Sequence, residues 1–235
     1  MLKNKEIIKN SESEPEVIQL FSEAEIEQLI GLYDKLPVTK HNKIQKVIKK
    51  RWLQDFDTKL DKLYKEKLKS VLGDFQMDNL KTDEGSDIFG LFQESYNPLK
   101  LHVDSGFYED NIIYKQTLVP LSPFGETIVY KNRWYGTSTN FTIDKDELSL
   151  TNEKVIGKNS NSNEHNKIFG NKDFNEDDYN KYLKHENINN LKGLEIEKVY
   201  KWKIGEILIF DRTHLHSSSC NIKTKKLGLT TFTKK

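Results

Sequence analysis

Two hydrophobic textures follow one another along the chain. Ile26, Leu29, Ile30 and Tyr33 recur at the spacing of one helical face. Ser22 and Glu25 form a capping box ahead of them, and Pro37 lies just beyond. A second helical stretch is expected from near His41 to Leu72, with Ile44, Val47, Ile48, Trp52, Phe56, Leu60, Leu63, Tyr64 and Leu68 along it and Gly73 as its stop. The basic run Lys40–Arg51 sits on that pattern and reads as a solvated outer face, not a nucleic-acid patch.

From Asp87 the texture changes to short runs rich in β-branched and aromatic residues. They cover Ile88–Gln93, Leu99–Asp104, Ile112–Pro120 and Thr127–Tyr130, punctuated by Pro98, Gly106, Pro123 and Gly125. From about Asn132 the sequence turns polar and Asn-rich, with few core candidates and a short helix expected within Tyr179–Leu194. Strands resume at Lys198–Trp202, Glu206–Phe210 and Leu227–Phe232. No helical crossovers separate these strands, so the pattern predicts a mainly β fold with flanking helices, not an open α/β sheet. The expected organisation is an N-terminal helical support region over residues 1–86 and a β core over 87–235. A polar insertion interrupts that core at about 132–194. A long insertion of this kind is expected to serve as a lid or binding loop.

Charge narrows the partners. A net charge of +1 supplies no field to steer nucleic acid or an anionic membrane. The chain has no run of about 20 apolar residues, the length a spanning helix requires. Its N-terminus carries acidic residues and lacks the apolar stretch of a signal peptide. The single cysteine, Cys220, cannot form an internal disulfide and shows no zinc spacing, so a cytoplasmic setting is expected.

The chemistry concentrates at His102-Val103-Asp104. Residues i and i+2 of a strand share a face, so the imidazole and the carboxylate converge. Alone, the tripeptide is common. Two further features raise its significance. Ser105-Gly106 makes a turn directly after it, and the segment Gly205-Glu206-Ile207-Leu208-Ile209-Phe210-Asp211 carries an apolar strand into His214-Leu215-His216-Ser217-Ser218. Two histidines and a carboxylate form a facial triad that leaves positions open on a non-haem iron. Either His214 or His216 can be the third ligand, since both share strand parity. About ten residues later Lys226 opens the last strand in parity with Gly228 and Thr230.

Together LHVDSG, GEILIFDRTHLHSSS and KKLGLTTF resemble the Fe(II)/2-oxoglutarate-dependent dioxygenase superfamily, in its prolyl-hydroxylase and phytanoyl-hydroxylase style. The resemblance covers roughly Asp87 to the C-terminus. It implies a double-stranded β-helix, the jelly-roll barrel shared with cupins. It also implies Fe(II) held by His102, Asp104 and His216, with 2-oxoglutarate as co-substrate. O2 and a small-molecule or amino-acid-type substrate hydroxylated at an unactivated C–H complete the expected reaction. The co-substrate's far carboxylate needs a cation. Lys226 is the candidate, with Lys225 second, although a bidentate Arg is the usual residue there. Thr117 and Gln93 are expected to contact the co-substrate. Tyr96, Arg133, Trp134, Tyr135 and Arg212 are placed near the mouth, where Arg212 can meet an anionic substrate. His41, His165 and His185 read as surface residues. Other readings are a cupin-type metal enzyme without 2-oxoglutarate, using His214 and His216 together, and a non-catalytic jelly-roll binding module. A hydrolytic zinc site lacks its HExxH or Cys cluster.

Overall fold

The computed structural model describes residues 2–43, 46–104, 112–141, 159–161 and 164–235. Ile44 and the Ser105-Gly106 turn lie outside the described residues. In chain order the N-terminal part comprises α1 (Leu2–Asn10), β1 (Glu16–Gln19), α2 (Glu23–Lys35), β2 (Val38–Asn42), β3 (Val47–Leu53), α3 (Thr58–Leu72), β4 (Gln76–Met77) and β5 (Leu80–Lys81). The barrel follows with β6 (Asp87–Ser95), β7 (His102–Val103), β8 (Ile113–Pro120) and β9 (Glu126–Arg133). Next come β10 (Thr139–Phe141), β11 (Asn159–Asn161) and α4 (Glu164–Phe169) of the insertion, then β12 (Ile196–Lys201), β13 (Glu206–Asp211), β14 (His214–Ser218) and β15 (Lys226–Lys234).

The strands form two sheets. The larger runs β1-β13-β8-β15-β6-β3-β2, with β4 on β15 and β5 on β6; the smaller runs β11-β10-β7-β14-β9-β12. Barrel strands alternate between them except at the step from β9 to β12, which pair with each other: β6, β8, β13 and β15 lie in one sheet and β7, β9, β12 and β14 in the other. This is a double-stranded β-helix, as expected from the sequence, with an interior lined by both sheets.

Helices α2 and α3 cover the outer face of the larger sheet. The Ser22–Glu25 capping box forms as the sequence predicts. Leu29, Tyr33, Leu60, Tyr64 and Leu68 pack on Trp52, Phe89 and Phe92. Trp52 is the hub of this layer, with its ring 4.4 Å from Phe89 and 5.6 Å from Tyr64.

The single helix expected from His41 to Leu72 is instead a β2–β3 hairpin followed by α3. Residues 1–86 are therefore a mixed support that adds strands to the larger sheet. The strand alternation of β3 is masked by a lysine. Ile48, Lys50 and Trp52 share the helix-facing side, but Lys50 sets its Nζ over the Tyr33 ring, 4.1 Å from the centroid, and donates from it to Tyr33 O at 2.7 Å. An amphipathic cation at an apolar position makes the remaining hydrophobic residues fit a helical period.

The insertion also departs from expectation. Phe141, Phe174, Tyr182, Leu183, Leu191 and Leu194 pack on Leu101, Val103, Ile128, Tyr130 and Leu215, and so cover the outer face of the smaller sheet. Among the described residues of the insertion, most of the large apolar side chains are used in this way. Among the described residues no helix is long and apolar enough to cross a membrane.

Candidate metal centre

His102 and His216 are direct partners across the β7–β14 pair, and their rings lie 4.2 Å apart. Asp104 follows immediately after β7 and turns its carboxylate between them. Oδ1 lies 3.4 Å from His102 Nε2, and Oδ2 lies 3.3 Å from His216 Nε2. One ligand atom from each of the three residues falls within 4.8 Å of the other two.

Hydrogen bonds on the far side of both rings fix which nitrogen faces the centre. His102 Nδ1 meets Lys100 O at 2.5 Å, and His216 Nδ1 meets His214 O at 3.2 Å. A carbonyl only accepts, so Nδ1 carries a proton in each ring, and Nε2, the nitrogen that would bind a metal, is the one turned toward the carboxylate. The donor set of two imidazoles and one carboxylate suits a divalent transition metal and leaves further positions open.

The carboxylate is itself held. Gln116 Nε2 donates to Asp104 Oδ2 at 2.7 Å, and Ser138 Oγ donates to the Asp104 and Val103 carbonyls. Gln116 is the inward-facing residue of β8, in parity with Leu118, and both line the cavity beside the triad. Thr117, expected there, lies on the opposite face of β8. Its hydroxyl pairs with Thr231 Oγ1 at 2.6 Å beneath the helical layer, next to Tyr64. The expectation was off by one residue, which reverses a strand's face.

His214 is resolved from His216 by an irregularity in the β14–β9 pairing between them. The ring of His214 is fully buried and engaged, with Nε2 at 2.9 Å from Glu197 Oε2 and Nδ1 at 3.1 Å from Asp211 O. Burial and the neighbouring Arg133 cation lower its pKa and hold it neutral.

The cavity extends from the triad along β14 to Lys226. That side chain is buried; its Nζ donates to Ser218 Oγ at 2.8 Å and Glu126 O at 3.2 Å and sits over the Trp202 ring at 4.4 Å. Desolvation pushes its pKa down to about 7, only partly opposed by Glu126. Gln93 and Lys49, neighbours on β6 and β3, line the same cavity. Lys225 points to the other face and pairs with Glu94 at 3.6 Å.

The remaining candidates are placed elsewhere. Arg212 is buried against Asp78 and the Phe232 ring, not presented to a substrate. Trp134 packs edge-on to Phe141, Tyr135 donates to Glu12, and Arg133 pairs with Glu197 and Asp211. Tyr96 is exposed and donates to Glu94. His41 is a surface residue, but on a strand; His185 is partly buried. His165, read as a surface residue, is fully buried against Phe141 with Nε2 at 2.7 Å from Asn190 O. Cys220 is a free, partly buried thiol.

No protein-family model matches this chain, and no curated protein matches it in sequence. Solved structures do. HygX from Streptomyces hygroscopicus, with nickel and 2-oxoglutarate bound, superposes with a TM-score of 0.52 at 12% identity over 100% of this chain and 87% of that one. The epimerase SnoN, in complex with Fe3+, alpha-ketoglutarate and nogalamycin RO, gives a TM-score of 0.52 at 8% identity over 99% of this chain and 84% of that one. The double-stranded β-helix is the fold that this chain shares with these two proteins. Within it, sequence reasoning missed Gln116, Trp202 and Lys49. Gln116 was within reach through strand parity with Leu118. Trp202 and Lys49 carried no local signal, because both join the cavity from strands distant in sequence.

Proposed function

We propose that this chain is an Fe(II)- and 2-oxoglutarate-dependent oxygenase that hydroxylates an unactivated C–H of a small-molecule or amino-acid-type substrate. One observation carries the reading: two Nε2 atoms, each set by a bond from Nδ1 to main chain, and a carboxylate converge in a cavity that the buried Lys226 also lines. HygX, crystallised with nickel, 2-oxoglutarate and hygromycin B on the same fold, supports it.

Bound at this centre, ferrous iron supplies O2 activation and C–H oxidation, with 2-oxoglutarate as the electron donor. His102, Asp104 and His216 hold the ion, and Gln116 keeps the Asp104 carboxylate oriented toward it. His216 and Ser218 are successive same-face residues of β14, about 6.6 Å apart at ordinary strand rise. A five-carbon diacid spans that step. Its far carboxylate then reaches Lys226 Nζ, which already lies against Ser218 Oγ. Gln93 offers an amide to the co-substrate from β6. Phe210, Leu118 and Phe232 dry the cavity, which strengthens each polar contact inside it.

The test is anaerobic addition of Fe(II) and 2-oxoglutarate to the purified protein. A weak visible charge-transfer band and calorimetric binding of 2-oxoglutarate are expected. Absence of both sinks the reading, and full iron affinity in Asp104→Ala refutes the triad.

A further inference from the structure

Trp202 sits where the cavity ends, and three other residues are shaped around it. A Cβ on Gly228 would come within 2.9 Å of the indole Cη2, and one on Gly125 within 2.9 Å of Cδ2. Gly125 also holds φ +154, a conformation that side chains rarely adopt. On the indole's polar edge, Nε1 donates to Thr127 Oγ1 at 2.9 Å. The ring is thus hemmed in by two close glycines and held at its polar edge, and only 8% of the residue is exposed.

We infer that Trp202 is the specificity-determining end wall of the co-substrate cavity: it sets the length of 2-oxo diacid admitted and steadies the charged form of Lys226. This rests on the oxygenase reading above.

Length follows from the seat of the ring. The indole lies on Lys226, Gly228 and Thr127, and Thr127 is the cross-strand partner of Ser218, one same-face step along the sheet from the His216–Val129 pair; from there it would block growth of the cavity past Ser218. An extra methylene in a well-filled pocket costs roughly 10- to 200-fold in discrimination.

The steadying effect follows from burial. Lys226 is only 4% exposed, and removal from water drives it toward the neutral amine. Glu126 on β9 faces it through its carbonyl and its charge, and Ser218 on β14 accepts from it. From β6 the cross-strand neighbour is Ser95, while Glu94 and Lys225 pair with each other on the other face of the sheet. The remaining wall is the Trp202 ring, whose electron-rich face favours the ammonium over the amine. A neutral amine cannot form the charge-assisted bond that the diacid's distal carboxylate requires.

The experiment uses the full chain loaded with redox-inert Ni(II), so that binding is read without turnover. Calorimetric dissociation constants are measured for 2-oxoglutarate and for 2-oxoadipate, one methylene longer, at pH 6 and pH 8. The wild type is expected to favour 2-oxoglutarate by tenfold or more. In Trp202→Phe the preference should narrow at least fivefold, and in Trp202→Leu it should vanish or invert. Trp202→Leu should also lose a further three- to tenfold in 2-oxoglutarate affinity between pH 6 and pH 8 relative to wild type, a change that loosened packing alone would not give. If Trp202→Leu does not fold, Trp202→Phe and Gly228→Ala decide on the length ratio; Gly228→Ala forces the indole into the cavity and should weaken 2-oxoadipate more than 2-oxoglutarate, widening the preference. Unchanged ratios in the folded variants overturn the inference while the oxygenase reading stands. A wild type that binds neither diacid overturns both.

Discussion

His102 and His216 face each other directly across the β7–β14 pair, and each ties its Nδ1 to a backbone carbonyl two residues before it. Main chain therefore sets the outer nitrogen of both rings. The carbonyl that orients His216 belongs to His214, and it survives any substitution of the His214 side chain. Replacement of His214 by Gln should leave Fe(II) or Co(II) affinity within roughly tenfold, the lower bound for loss of a true orienting partner. His216→Ala should reduce it by more than about 100-fold. Metal titration by calorimetry separates the two histidines, and equal losses would refute the assignment of His216.

Gln116 donates a side-chain amide hydrogen bond to the metal-facing carboxylate. Gln116→Leu keeps the volume and removes the donor, leaving Asp104 Oδ2 to rotate. A 10- to 100-fold loss of metal affinity is expected, as for other outer partners of a ligand set. Thr117→Val, one residue on, should leave metal affinity unaltered and cost about 1 kcal/mol of stability through the lost Thr231 hydrogen bond. Chemical denaturation and metal titration of the two variants together test which face of β8 looks inward.

The contrast between Gln116 and Thr117 also indicates what the sequence could and could not convey. His102-X-Asp104 was legible because strand parity alone brings its two groups together. The barrel was legible because its strands are short, apolar and joined without helices. The β2–β3 hairpin was not, since Lys50 occupies an apolar-facing position by setting its Nζ over the Tyr33 ring. Lys49 and Trp202 were illegible for a different reason: their places depend on which strands become neighbours. Likewise, nothing local to Asn190 or His165 announces that these polar residues are buried in the insertion.

Lys226 should leave a signature in stability even without co-substrate. Its folded pKa of about 7 lies below its ordinary value near 10.5, so the unfolded chain binds more protons between those two pH values. This residue's contribution to stability therefore rises with pH through that window, and its destabilising effect is complete below about pH 7. Lys226→Met removes the buried charge while keeping the volume. The variant's gain in melting temperature over wild type should be largest near pH 6 and shrink steadily toward pH 10. A gain independent of pH would show that Lys226 is not the group that titrates.

Glu186 links the insertion to the metal strand. One carboxylate oxygen accepts the Leu101 amide at 2.5 Å, one residue before His102, and the other lies 3.4 Å from Asn190 Nδ2, whose amide also donates to Phe141 O. The residue is only 4% exposed, so these bonds form away from water and carry the desolvation cost of any partner left unsatisfied. Glu186→Leu strands the Leu101 N–H and should destabilise the fold by about 1–3 kcal/mol. Because β7 is only two residues long, its position depends on this bond as well as on its sheet neighbours. Loss of the bond should thus also weaken metal binding by roughly tenfold, the scale of an outer support. Hydrogen exchange at the Leu101 and His102 amides provides the independent reading: both should exchange faster in Glu186→Leu, whereas protection in β13 should change only with global stability. If metal affinity falls while β7 exchange is unaltered, the insertion acts on the centre by another route.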